Sequence, residues 1–254
     1  MGCTAAGVSG VGFGVWARNA AAWVIGATLT AMIARIRPGF LVRAVLLIAP
    51  LALLVSLFSP GNSGVHRWVT VGPMSWNVSF LLLPAVTVAF AATRQSGAKW
   101  AVMLVQLELL LQPDASQATA FAAAGIVTLW TTVSTRQARM GMSLFFVLAG
   151  VLTWLRPDPL TPVAEVEGIL KLAGAVSGAL AALCVASLAA VTASPLLARK
   201  VGPPSVALFV YFLGCMVMPL FGAFPVPLAG MGMSPILGFW LGAGALLNVD
   251  RKCG

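Results

Sequence analysis

The chain has 254 residues, of which 60% are hydrophobic and only 8% charged, and its mean hydropathy is +0.99. Apolar runs along the whole length exclude a soluble globular protein, and the stretches between them, about 15 to 20 residues, are too short to build a separate core. The net charge of +9 does not point to nucleic acid, because the cations are scattered between apolar runs and form no basic stripe.

Residues Met1 to Gly14 are small and uncharged and lack the basic start of a cleaved signal peptide, so the first apolar run is expected to be retained as a span. Apolar length and breaker residues predict an all-α polytopic membrane protein of about nine transmembrane helices. Their cores run from Ala20 to Ala34, Phe40 to Phe58, Val78 to Ala92, Trp100 to Leu111, Ala118 to Val133, Met140 to Leu155, Ile169 to Leu197, Val206 to Phe221 and Pro235 to Val249. In the seventh, Gly174, Ser177, Gly178 and Ala181 form a small-x-x-x-small pattern suited to close helix contact inside the bundle. Prolines 203, 204, 219, 225, 227 and 235 interrupt the last two helices, which predicts a nonhelical, re-entrant segment over residues 221–234. Cys3, Cys184, Cys215 and Cys253 are isolated in sequence, so neither a disulfide framework nor a zinc site follows.

The cations choose an orientation. Alternate connections carry Arg35 and Arg37, Arg94 and Lys99, Arg136 and Arg139, Arg199 and Lys200, and finally Arg251 and Lys252. The intervening connections hold only Arg67, Arg156 and Lys171, so the richer set is expected to face the cytoplasm, with the N-terminus outside and the C-terminus inside. Asp114, Asp158, Glu165 and Glu167 then share the outer face, and Asp158 to Glu167 holds half of all the acidic residues.

Three outer segments carry the motifs: Gly61-Asn62-Ser63-Gly64-Val65-His66-Arg67-Trp68-Val69-Thr70-Val71-Gly72, then Gln112-Pro113-Asp114, then Asp158-Pro159-Leu160. Near the end stands Met218-Pro219-Leu220-Phe221-Gly222-Ala223-Phe224-Pro225-Val226-Pro227-Leu228. Their order and spacing resemble the SEDS family (shape, elongation, division and sporulation), the group of FtsW and RodA. In that family a G-x-x-R-W loop precedes a helix, a Q-P-D turn opens a later one, a D-P-[LF] turn follows the next, and a proline-rich re-entrant turn precedes the last. The resemblance covers most of the chain from about Ala20 onward. It implies a bacterial inner-membrane glycosyltransferase that polymerises lipid II into peptidoglycan strands in division or elongation, beside a transpeptidase of the penicillin-binding protein class.

This chain also departs from the pattern. Where the family has Q-P-S-E and a following Lys, Asn77-Val78-Ser79-Phe80 and Leu81 to Leu83 stand, without either charge. The family's first helix and its long outer loop after D-P-[LF] are missing, so residues 1–254 read as a single, short SEDS-like transmembrane domain. Two other readings therefore stand beside the polymerase: a non-catalytic scaffold that binds division or elongation partners, and a transporter of lipid-linked precursors, although no inverted-repeat symmetry supports the latter.

Glycosyl transfer from a polyprenyl diphosphate needs a base for the acceptor hydroxyl and positive charge, or a divalent cation, for the departing diphosphate. The resemblance makes Asp158 the base or a metal ligand; from the residues alone, an Asp before Pro is equally a turn former. Arg67, Arg156 and Lys171 lie on the same side and are candidate diphosphate contacts, with Trp68 and Asp114 beside them. Trp68 is also the kind of residue that anchors a loop at the interface, and Asp114 the kind that caps a helix. Glu165 and Glu167 offer further carboxylates for a cation, against the plainer reading that they complement the dipole of the next helix. Glu108 lies six residues inside the Q-P-D turn, about 9 Å deep if helical. An ionisable group there is a candidate for lining a cavity, or else a neutral buried acid. His66, the only histidine, has no second ligand-type residue nearby, so no metal site is assigned to it.

Overall fold

The computed structural model describes residues 1–251; Lys252 and Cys253, invoked above, lie outside the described residues. Helices cover almost all of the nine predicted apolar cores, the seventh in two pieces. In chain order the elements are α1 (Gly2–Val8), α2 (Phe13–Ile33), α3 (Pro38–Phe58), β1 (Trp68–Val71), β2 (Met74–Asn77), α4 (Val78–Ala91), α5 (Ser96–Leu111) and α6 (Ala115–Thr132). They continue with α7 (Arg136–Trp154), α8 (Ile169–Val176), α9 (Gly178–Ala193), α10 (Pro203–Val217) and α11 (Met233–Asp250). Among the described residues, four stretches are long and apolar enough to cross a membrane: Pro38–Phe58, Arg136–Trp154, Gly178–Leu197 and Pro203–Leu220. Val78–Ala91 is a shorter apolar helix.

Three features differ from the sequence reading. A short helix, α1, precedes the first expected one. The seventh core is two helices, because Ser177 takes an extended backbone (φ −167°, ψ 148°) and its Oγ accepts the Leu180 N–H at 3.1 Å, capping α9. The all-α expectation also omits a two-stranded antiparallel hairpin, in which Trp68 faces Asn77 and Val71 faces Met74. Gly72, at φ +58°, supplies the positive φ that a twist-matched two-residue loop needs at its first central position.

The main core packs α4 at its centre, against α3, α10 and α11, with α6 bridging α10 and α7. A second, smaller cluster joins α1, α8 and residues 226–231. Close helix contact does occur, but on α11 rather than at the small residues of α8 and α9. A Cβ on Gly238 would stand 1.9 Å from the Phe80 carbonyl oxygen, and one on Gly242 would stand 2.6 Å from Pro84 Cβ. Gly238→Ala is therefore expected to push α11 off α4 and to cost about 1–3 kcal/mol or more, as overpacked cores do. Thermal unfolding of the detergent-solubilised variant measures this, and an unchanged midpoint would rule out the close packing.

Candidate functional site

Four loops meet at one end of the bundle. The hairpin presents Arg67 and Trp68, the α5–α6 turn presents Asp114, the loop after α7 presents Asp158, and the nonhelical stretch before α11 presents Ala223 to Pro225. Together with Asn77, Phe80, Ser116, Thr161 and Glu167 they enclose a cavity of about 200 Å³.

Arg67 is the centre of this arrangement and is buried, its side chain only 7% accessible. Its Nε donates to the Gln112 carbonyl at 3.2 Å, and its Nη2 donates to the Pro113 carbonyl and, at 2.8 Å, to Asp158 Oδ2. Asp114 Oδ2 lies 3.7 Å from Arg67 Nε. One guanidinium thus ties the hairpin to the α5–α6 turn and to the Asp158 loop, while Nη1 has no hydrogen-bond partner among the described residues. The turn itself is anchored from below, where the buried Gln112 donates from Nε2 to Ser56 Oγ at 2.7 Å.

Asp114 caps α6, accepting the Gln117 N–H at 3.3 Å, and also accepts the hydroxyls of Ser116 and Ser79, each at 3.1 Å. Asp158 is a turn former, and it also lines the cavity. Its Oδ1 accepts the Leu160 N–H at 3.2 Å, closing a turn, while Oδ2 reaches into the cavity to Arg67. Its side chain remains 29% accessible, so a ligand can still meet it.

Glu167 lies in the cavity wall rather than serving only the helix that follows. Its Oε2 accepts the Val163 N–H at 2.7 Å. Burial raises its carboxyl above the ordinary range, and the charges of Asp158 and Glu165 reinforce the rise against the hydrogen bonds from Val163 and its own backbone. The loop carrying it is stitched to the nonhelical stretch: Val226 N–H donates to Val166 O at 3.2 Å and Met231 N–H to Glu165 O at 2.8 Å. Buried Asn19 of α2 clamps the same stretch, donating to Gly230 O at 2.9 Å and accepting from Gly232 N at 3.0 Å. The expectation of a nonhelical segment before the last helix is met over residues 221–232, and several of its backbone groups are bonded by other parts of the protein.

Three predicted ligand contacts are not in the cavity wall. Arg156 donates from Nη1 to the carbonyls of Leu110 and Leu111, at 2.6 and 3.0 Å, which caps the end of α5. Lys171 is exposed on α8, facing away. Glu108 is buried within α5, and neither carboxylate oxygen has a hydrogen-bond partner there. Nor do the acids form a cation site. Among the described residues no three metal-binding side chains cluster, because Asp158 and Asp114 turn towards Arg67 and Glu167 binds a backbone N–H. His66 bonds the Ser59 carbonyl through Nδ1 at 2.7 Å. The sequence reading missed Ser79 and Ser116, whose signal was their place within one turn of Asn77 and Asp114, and Phe224, whose only signal was the adjacent prolines.

A polytopic helical membrane protein with a charged cavity at one end of the bundle is the class these observations define. Two solved structures of RodA, the rod-shape-determining protein of Thermus thermophilus, one of them a point mutant, share its fold. Each is 18% identical, with a TM-score of 0.61, covering 99% of this chain and 92% or 93% of the RodA chain. A chain from a peptidoglycan synthase complex that coordinates polymerization and crosslinking is likewise 18% identical, with a TM-score of 0.65 over 99% of this chain and 94% of that one. No family model matches the chain, and no curated protein matches it in sequence. The chain has a RodA-like fold.

Proposed function

We propose that this chain is a SEDS-like peptidoglycan glycosyltransferase of the bacterial inner membrane, polymerising lipid II beside a penicillin-binding transpeptidase. The observation that carries this reading is the convergence of Arg67, Asp114 and Asp158 on one cavity from three separate loops. Asp158 is the base for the acceptor hydroxyl, Arg67 Nη1 is the free donor for the departing diphosphate, and Trp68 and Phe224 are apolar walls for the sugars. Arg67 also holds Asp158 aimed into the cavity, through the 2.8 Å contact of its Nη2 with Oδ2, the placement a base requires. Likeness in fold to the peptidoglycan synthase chain supports the partner class.

The scaffold reading keeps one specific support. At about 200 Å³ the cavity is below the ~300 Å³ at which small-molecule sites usually begin. Polymerisation of labelled lipid II by the purified protein, alone and with a transpeptidase, decides between them. Glycan product in either condition establishes the enzyme, and none in any condition leaves the scaffold.

The active end faces the periplasm in this reading, with the N-terminus outside, the C-terminus inside and about nine crossings. In a background lacking the native cysteines, a Cys placed at Ser63 is expected to react with an impermeant maleimide added to whole cells, and one at Ser134 to be spared. Labelling in the reverse sense would put the cavity on the cytoplasmic face and remove access to periplasmic acceptor strands.

A further inference from the structure

At the other end of the bundle lies a larger cavity, of about 450 Å³, to which the polymerase reading assigns nothing. It sits where α3 and α10 begin and where α4 and α11 end, and Pro38, Val42, Leu246 and Val249 line it with apolar surface. The 14 residues of α4 separate it from the Asp158 cavity by about 21 Å along the helix. Two cations stand in its rim, Arg94 after α4 and Lys200 before α10, and one acid, Asp250. Both cations are exposed, and among the described residues neither forms an ion pair. Asp250 is engaged elsewhere, its Oδ2 accepting the Arg199 N–H at 3.2 Å.

The first turn of α10 supplies few anion donors of its own. Pro203 and Pro204 carry no N–H, and the Gly202 N–H donates to Ser205 Oγ at 2.9 Å. The formal positive charges that would draw an anion to this cavity are therefore the Arg94 and Lys200 side chains. An apolar chamber at the level where helices end, rimmed by two free cations, matches a molecule with a phosphate head and hydrocarbon tails.

We propose that this cavity binds one anionic phospholipid, its phosphate between Arg94 and Lys200 and an acyl chain along Val42, Leu246 and Val249. In the orientation proposed above, on which this inference rests, the cation-rich side faces the cytoplasmic leaflet, where anionic headgroups and juxtamembrane basic residues attract one another. Free phosphate shares the headgroup's charge but cannot use the apolar wall, so the two sources are separable.

The test is native mass spectrometry of the full-length protein, released from detergent with phosphatidylglycerol or phosphatidylcholine. One phosphatidylglycerol is expected to stay bound at collision energies that strip phosphatidylcholine. Arg94→Gln/Lys200→Gln should weaken that retention about tenfold or more, the scale set by two basic residues at an anionic membrane surface. Val42→Trp fills the chamber without touching a charge and should abolish it, while Asp250→Asn should strengthen it. Arg136→Gln/Arg139→Gln removes two cations of the same face that lie outside the cavity and should change nothing. Unfolding midpoints in phosphatidylcholine identify any variant that has lost its fold, and the folded one of the first two then decides. Equal retention by a folded variant, an equal loss in the Arg136/Arg139 control, or displacement of the lipid by millimolar inorganic phosphate would each overturn the proposal.

Discussion

Asp158→Asn is expected to lower lipid II polymerisation by about 100-fold to 10,000-fold, the usual worth of a positioned proton transfer, while leaving the protein folded. The amide is the same size as the carboxylate and keeps the Oδ1 acceptor that the Leu160 N–H uses at 3.2 Å. What it loses is the basic oxygen and the ionic part of the 2.8 Å contact with Arg67. The structural cost of that loss is small, because the Asp158 side chain is 29% accessible to solvent and Arg67 still faces Asp114. Lipid II binding, read by retention on the immobilised protein, should therefore survive while turnover does not. Full turnover in the variant would remove Asp158 from the chemistry, whatever its place in the cavity.

Asp114→Asn is not a neutral comparison for that experiment. Its position at the start of a helix suits Asn as well as Asp, and the cap on Gln117 is indeed present. The same carboxylate also accepts the Ser79 and Ser116 hydroxyls and faces Arg67, which an amide with one acceptor oxygen cannot reproduce. Thr161→Ala in the cavity wall, with no side-chain hydrogen bond among the described residues, is the better control.

How far the site could be read from sequence depended on the kind of information each residue carried. Arg67 and Asp114 sit in short motifs whose local geometry is set within a few residues, so the cap at Asp114 followed directly. Which neighbours they would meet around the bundle did not. Arg156 illustrates the gap: two residues past the end of α7, it is long enough to reach two possible targets, and it meets the open carbonyls of α5 instead of the cavity. Glu108 is buried in α5, but a position along a helix says nothing about whether a cavity lies beside it. For the fold, apolar runs located the helices because burial in lipid and burial in the bundle make the same demand. The hairpin was missed although β-branched Val69, Thr70 and Val71 before Gly72-Pro73 carry its signal, and so was the break at Ser177, where a serine before glycine is a cap in waiting.

Arg67→Met is expected to be the most destabilising single change in the outer cavity, costing about 3–5 kcal/mol, the range found when one partner of a buried ion pair is removed. Met fills much of the space of the arginine stem but leaves Asp114, whose side chain is 3% accessible, without its counter-charge. It also leaves the carbonyls of Gln112 and Pro113 without their donor at the turn that opens α6. Arg67→Lys keeps the charge but not the planar fork that reaches a carbonyl and a carboxylate together, so an intermediate loss is expected. The double variant Arg67→Met/Asp114→Asn separates charge from geometry. If the cost is mainly an uncompensated buried carboxylate, the double variant should be more stable than Arg67→Met alone; if it is mainly lost carbonyl contacts, the two should unfold together. Tryptophan fluorescence during chemical unfolding in detergent reads all three, and an Arg67→Met variant within about 1 kcal/mol of the natural protein, the scale of an exposed pair, would show that the guanidinium does not hold these loops together.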